Sequence, residues 1–296
     1  MIDTPFDTGR QINIWLLSGH RHVLIDTGVC GSPSETIFPY LESIGLAAND
    51  LDLVINLHAH ADHVGGNGEL FAASGHTLAF GAHECDASAI EDHRILAKQV
   101  YQLRDTSQVE TLLTRCGAHV PIRHRYHGGE IIPLDGFSLE IIHAPGHTEG
   151  NLAVYDRTHR ALIHGESVMG PSQQTQDGLW TTPFGADPNA YRRTLDALMA
   201  LDIDLFLSSH APPVDGAEGR SRILASLESL DRFEQTCLSA LSREPHDLAQ
   251  LVDVVARDGR YARTPRLERQ VLSIMDALAR SGRAASGPDG WLSVST

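Results

Sequence analysis

Lysine is nearly missing from this 296-residue chain, where Lys98 is the only lysine among 23 basic residues. That scarcity reads as compositional bias and carries no function of its own. Cysteine is sparse as well. Cys30, Cys85, Cys116 and Cys237 lie far apart with no CxxC pair, which excludes a disulfide framework and a cysteine zinc knuckle and leaves free thiols. Cys30 has no base near it in sequence to activate it. No stretch approaches the roughly 18 consecutive apolar residues of a spanning helix. The opening MIDTPFDTGRQINIW lacks the basic start and apolar run of a secretory signal, so the expectation is a cytoplasmic protein. There is no GxSxG nucleophile elbow, no GxxxxGK[ST] phosphate loop, no repeat and no low-complexity tract.

The chain is 42% apolar and 21% charged, ordinary values for a globular protein, and long enough for one large domain or two smaller ones. Its net charge of −15 is unevenly spread: residues 1–218 hold 28 acidic and 12 basic residues, residues 219–296 hold 10 and 11. A polyanionic partner would meet that repulsion, which argues against nucleic acid as substrate.

Short β-type runs recur at 11–17, 22–25, 51–57, 76–80, 138–143, 161–164 and 203–207, each ending at a turn or polar cluster. Helix-like segments at 34–44 and 189–201 lie between them, which implies a layered α/β domain. Gly19-His20 and Asp135-Gly136 look like hairpin turns, so mixed or partly antiparallel sheets are expected in preference to a doubly wound parallel sheet. Residues 85–128 form a polar, helix-prone excursion without a comparable strand run, the kind of insertion that covers a site. After residue 213 the β signal fades. Helices are expected at 220–242, 245–258 and 265–280, followed by a small hairpin, together a winged-helix-like module. The expected domains are 1–218 and 219–296.

The chemistry concentrates in His58-Ala59-His60-Ala61-Asp62-His63, directly after the apolar run 51–57. Three imidazoles and a carboxylate fall within six residues, and neutral imidazole and carboxylate are the ligands of zinc and similar ions. Alternation along an extended segment puts His58 and His60 on one face, and the following turn redirects Asp62 and His63. The small residues Ala59, Ala61, Gly65 and Gly66 let the backbone turn tightly enough for these side chains to converge. A merely solvated histidine-rich loop would not need to stand at the end of a buried strand.

This string resembles the signature of the metallo-β-lactamase superfamily. Further motifs follow in that family's order: Asp26-Thr27-Gly28 after a strand, Ala144-Pro145-Gly146-His147-Thr148, and Ser208-Ser209-His210-Ala211. The resemblance spans about residues 11–213. It implies an αββα sandwich, with His58, His60 and His147 on one metal and Asp62, His63 and His210 on the other. The family's bridging aspartate is replaced here by Glu166, in Leu162-Ile163-His164-Gly165-Glu166-Ser167, where it would bridge, bind one ion or act as an acid or base. Asp26 would support the turn or orient a ligand. His124, His127, His143 and His164 match no family ligand and read as ordinary histidines.

Two zinc ions are the cofactor this resemblance implies, with manganese or iron as alternatives. Water between two metals ionises near neutral pH, its pKa falling from about 15.7 to about 7. It would attack a carbonyl while Asp62 orients it and carries its proton. Combined with a winged-helix-like module, the core resembles the β-lactamase-like protein 2 and glyoxalase II-like branch, hence a hydrolase of small thioesters, lactones, esters or amides. Two other classes compete. One is a mononuclear iron oxygenase of the persulfide dioxygenase type, which His63 and His210 disfavour. The other is a ribonuclease or nucleic-acid-binding protein, suggested by Arg257, Arg260, Arg263, Arg266 and Arg269. The plainer reading of those arginines is a solvated, paired face. Residues 168–188, with Trp180 and Phe184, and the excursion 85–128 are the expected pocket walls. The C-terminal module could serve a homodimer contact.

Overall fold

The computed structural model describes residues 1–7, 10–183, 185–242, 244–288 and 290–294. Phe184 lies outside them. By backbone contacts the chain divides into two compact units: 1–144 with 148–166 and 202–216, and 145–147 with 167–201 and 217–296.

The first unit is built on two six-stranded sheets. The first runs β1 (Ile2–Asp7), β2 (Arg10–Ser18), β3 (His22–Ile25), β4 (Leu53–Ile55), β5 (Ala79–His83) and β6 (His124–Tyr126) in spatial order. β1 to β3 pair antiparallel, β3 to β6 parallel. The second holds β7 (Ile131–Leu134), β8 (Phe137–His143), β9 (Leu152–Asp156), β10 (Ala161–His164), β11 (Leu205–Ser208) and β12 (Val214–Asp215), antiparallel except for β10 with β11. Mixed sheets joined by hairpins at Gly19 and Asp135 agree with the sequence reading.

Side-chain alternation explains why the central strands read as unbroken apolar runs. Val23, Ile25, Leu53 and Ile55 point to one core with Leu139, Ile141, Val154 and Ile163 of the second sheet. Leu24, Val54 and Phe80 point the other way, against Ile37, Leu41, Leu70, Ile90 and Leu112 of the helical segments. A strand covered on both faces has no polar side to show. The helical cover includes α1 (Phe38–Ser43), α2 (Ala61–Val64), α3 (Asn67–Ala73), α4 (Glu84–Glu91), α5 (His93–Ile95) and α6 (Thr106–Cys116). The excursion 85–128 is thus helical as expected, except that it closes on β6.

The second unit contains α7 (Pro188–Met199), most of α8 (Gly216–Ser239), α9 (Leu248–Asp258), α10 (Pro265–Arg280) and the hairpin β13 (Ala284–Gly287) with β14 (Gly290–Ser293). In α10, Leu267, Val271, Ile274 and Leu278 recur at helical spacing and are buried. Thr264 caps its first turn through Leu267 N, with Pro265 at the first helical position. Asp247 and Gln250 form a reciprocal capping box on α9. Three helices and a hairpin give the winged-helix-like module. Among the described residues no helix is long and apolar enough to cross a membrane.

Candidate metal centre

The parallel strands β3 to β5 deliver their following loops to one edge of the first sheet, and β10 and β11 do the same in the second. His58 and His60 follow β4, Glu166 follows β10 and His210 follows β11. Asp62 and His63 stand on the single turn of α2. His147 sits in the three-residue stretch 145–147, tied at both ends to residues of the first unit.

Two groups of donors form, in each of which one donor atom per residue lies within 4.8 Å of the others: His58, His60, His147 and Glu166, and Asp62, His63, Glu166 and His210. All seven sequence-predicted residues are therefore drawn together. The spacings suit a shared ion. Tetrahedral donors at about 2.0–2.1 Å from a metal are about 3.3–3.4 Å apart. Here His63 Nε2 is 3.3 Å from His210 Nε2, and His58 Nε2 is 3.0 Å from His60 Nδ1. Glu166 Oε2 lies 3.4 Å from His63 Nε2 and 3.7 Å from His58 Nε2, so one carboxylate oxygen faces histidines of both groups. Its Oε1 lies 3.1 Å from His210 Nε2, and Asp62 Oδ2 lies 3.5 Å from the same nitrogen. Nitrogen lone pairs and carboxylates converging this closely fit a divalent cation.

A surrounding layer fixes these donors. Asp26, in the left-handed region at φ 63°, places Oδ2 2.7 Å from His63 Nδ1 while Oδ1 accepts from Leu57 N at 2.8 Å. It thus supports the turn and orients the His63 ring, leaving Nε2 to face the other donors. Burial alone would lower the His63 pKa, but the Asp26 and Glu166 carboxylates override it and hold the imidazole well above its ordinary range. His210 is raised for the same reason, burial being outweighed by Glu166. Buried Asp86 accepts from Ala59 N (2.9 Å), Thr148 Oγ1 (3.1 Å) and Gly150 N (3.0 Å), bracing the 58–60 and 148–150 backbones. Tyr101, from the helical excursion, accepts from Ala61 N at 3.0 Å and lies 4.8 Å from the His60 ring. Sequence reasoning missed Asp86 and Tyr101, whose only signal is the fold itself.

His164 is a buried residue of β10, its ring 4.3 Å from Phe206. His143 stacks on His83 at 3.9 Å. Neither belongs to a donor group, nor do His124 and His127. Trp180, expected as a pocket wall, bridges to Tyr261 within the second unit and has the Arg232 guanidinium 5.1 Å over its ring.

On the Asp62 side of the donors the first unit contains a cavity of about 620 Å³, lined by Asp62, Glu166 and His210 and by Arg10, Gln11 and Asn13 of β2, among others. That volume is ordinary for a small-molecule site.

This arrangement is that of a metal-dependent hydrolase fold: residues 7–210 match the metallo-beta-lactamase superfamily, and the chain belongs to that family. Among individual proteins it is similar to a probable metallo-hydrolase, MJ0888 of Methanocaldococcus jannaschii, with 30% identity over 60% of this chain and 75% of that one. It is 26% identical to the acyl-coenzyme A thioesterase MBLAC2 of Gallus gallus over 56% of this chain, and spans 61% of that protein's length. A solved metallo-beta-lactamase family protein from Thermus thermophilus superposes with a TM-score of 0.73 at 19% identity, covering 99% of this chain and 98% of that one, which shows the same fold.

Proposed function

We propose that the chain hydrolyses the acyl carbonyl of a small-molecule thioester, lactone, ester or amide with two zinc ions, and that thioesters are the first class to test. The observation that carries this reading is the sharing of Glu166 between two donor groups. His58, His60 and His147 would hold one ion and Asp62, His63 and His210 the other, with Glu166 between them. When bound, the ions supply Lewis acidity, which makes water a nucleophile near neutral pH and polarises a carbonyl. The chain's own residues do the rest. Asp62, on the cavity wall, orients the attacking water and takes its proton; the cavity beside it holds the acyl substrate. Thioesters come first because MBLAC2 is a thioesterase and a thioester carbonyl is already activated.

Nucleic acid is the weaker substrate on charge alone. Of the arginine run, Arg257 pairs with Asp258 at 2.6 Å, Arg263 pairs with Asp253, and Arg260 reaches Gly178 O at 3.4 Å. These partners favour the paired-face reading.

The test is metal analysis of purified protein coupled to hydrolysis assays on thioester, lactone, ester, amide and phosphodiester panels. Zinc near two equivalents, with thioester turnover abolished by chelation and restored by zinc, is the expected result. Turnover that persists in metal-free protein would sink the reading. One iron per chain with oxygen consumption would favour the oxygenase class instead.

A further inference from the structure

His210 is the last donor in sequence and the one least enclosed by its own neighbours. Its side chain is 29% exposed, whereas those of His58 and His63 are fully buried. It stands in the turn after β11, between Ser208 and Ala211. Such a turn would ordinarily be loose, yet a strand of the opposite sheet grips it. Asn13 of β2, itself 7% exposed, uses one carboxamide nitrogen to donate to Ser208 O at 2.9 Å and to Ala211 O at 2.8 Å. These carbonyls flank His210 on both sides. The Asn13 backbone N–H donates to Ser209 O at 2.7 Å. Two residues earlier on the same strand, Gln11 O lies 3.0 Å from His210 Nδ1. A proton on Nδ1 satisfies that carbonyl and leaves the Nε2 lone pair facing Glu166 and Asp62.

We infer that Asn13 is a positioning residue for the Asp62/His63/Glu166/His210 metal position, fixing the 208–211 turn so that Gln11 O can set the His210 tautomer. The chemistry requires an amide. Only a side chain with two hydrogens on one nitrogen can serve two carbonyls at once from this place: aspartate would set an oxygen against both, and alanine would leave both without their donor. The assignment rests on the metal reading of the donor groups, and its effect belongs to one position only. No bond from Asn13 reaches the His58/His60 side among the contacts of the described residues.

The experiment titrates zinc against a competing chromophoric chelator in wild type, Asn13→Ala, His210→Ala and the double variant, with circular dichroism to confirm folding. Wild type shows two binding events. Asn13→Ala should weaken one of them by about 10–100-fold, the usual effect of losing a ligand's support, and leave the other unchanged. His210→Ala should weaken the same event, and adding Asn13→Ala to it should change zinc affinity no further. Asn13→Asp, close in shape, should reproduce the split if the alanine variant does not fold. The assignment is overturned if folded Asn13 variants bind both ions normally, if both events weaken alike, if the double variant is worse than His210→Ala, or if neither Asn13 variant folds. Wild type that binds no zinc would instead remove the metal reading itself, and this assignment with it.

Discussion

Asp26 and Gly65 illustrate how much of the centre depends on residues that would touch no metal. Asp26 carries two duties with two oxygens, one on His63 Nδ1 and one on Leu57 N. Asp26→Asn keeps an acceptor for Leu57 but turns an amide hydrogen or a weaker acceptor toward the imidazole. Zinc affinity should fall by about 10–100-fold, read by chelator competition. At Gly65 the constraint is space, because a Cβ would stand 2.2 Å from Arg115 O and 2.6 Å from Ala61 O. Gly65→Ala should therefore destabilise the fold by about 1–3 kcal/mol in a denaturant titration. The backbone at Gly65 and Gly66 is pressed against its neighbours, which sharpens the sequence expectation that small residues are needed there.

At the scale of elements, the ends of β5 and β8 meet through stacked imidazoles. His83 and His143 lie 3.9 Å apart at an interplanar angle of 17°, with His127 at 6.2 Å from His83. Burial first, then His143 and His127, push the His83 pKa down to about 4 from 6.5, while Glu130 and Glu84 pull weakly the other way. A folded value below the unfolded one means that the unfolded chain takes up the proton first as pH falls. The stability His83 contributes is therefore full above about pH 6.5 and is lost as pH drops towards 4. Urea midpoints at pH 7 and pH 4.5 should differ more in wild type than in His83→Gln.

Elements also show where sequence reading succeeds. β3 and β10 are legible to the residue because both faces are buried, giving unbroken apolar runs. β1 and β7 are not, since Pro5 and Pro133 break the pattern; both are edge strands, where a missing N–H is tolerated. β6 is three residues long and mostly polar. β9 is passed over in the sequence reading although it is wholly buried, preceded by Gly150-Asn151 and no shorter than β3 or β10. In the site, the cluster 58–63 is a local signal, whereas Glu166 and His210 are found through the family resemblance. Asp86, Tyr101 and Asn13 act on partners 27, 40 and about 195 positions away, distances at which a single sequence carries no pattern.

For the whole molecule, six of the seven donors come from segments after β4 in one sheet and after β10 and β11 in the other. Under the proposed loading, the ion held by Asp62, His63, Glu166 and His210 acts as a cross-link closed over roughly 150 residues of chain from Asp62 to His210. Ligand that binds only the native state stabilises it by about 2.7 kcal/mol at a hundredfold excess over Kd. Zinc should accordingly raise the melting temperature, and chelation should lower it, with the shift growing with free zinc in differential scanning calorimetry. An unchanged melting temperature across that range would argue that the donors do not hold the ion.

The grip of β2 on the 208–211 turn gives this cross-link a direction. Because the bonds from Asn13 and Gln11 to this turn are made within the protein itself, the last donor does not have to be recruited from a wandering loop. The entropy of ordering it is met during folding. Under the proposed loading, less of the ion's binding energy then goes into ordering the turn, so the support from β2 appears as affinity.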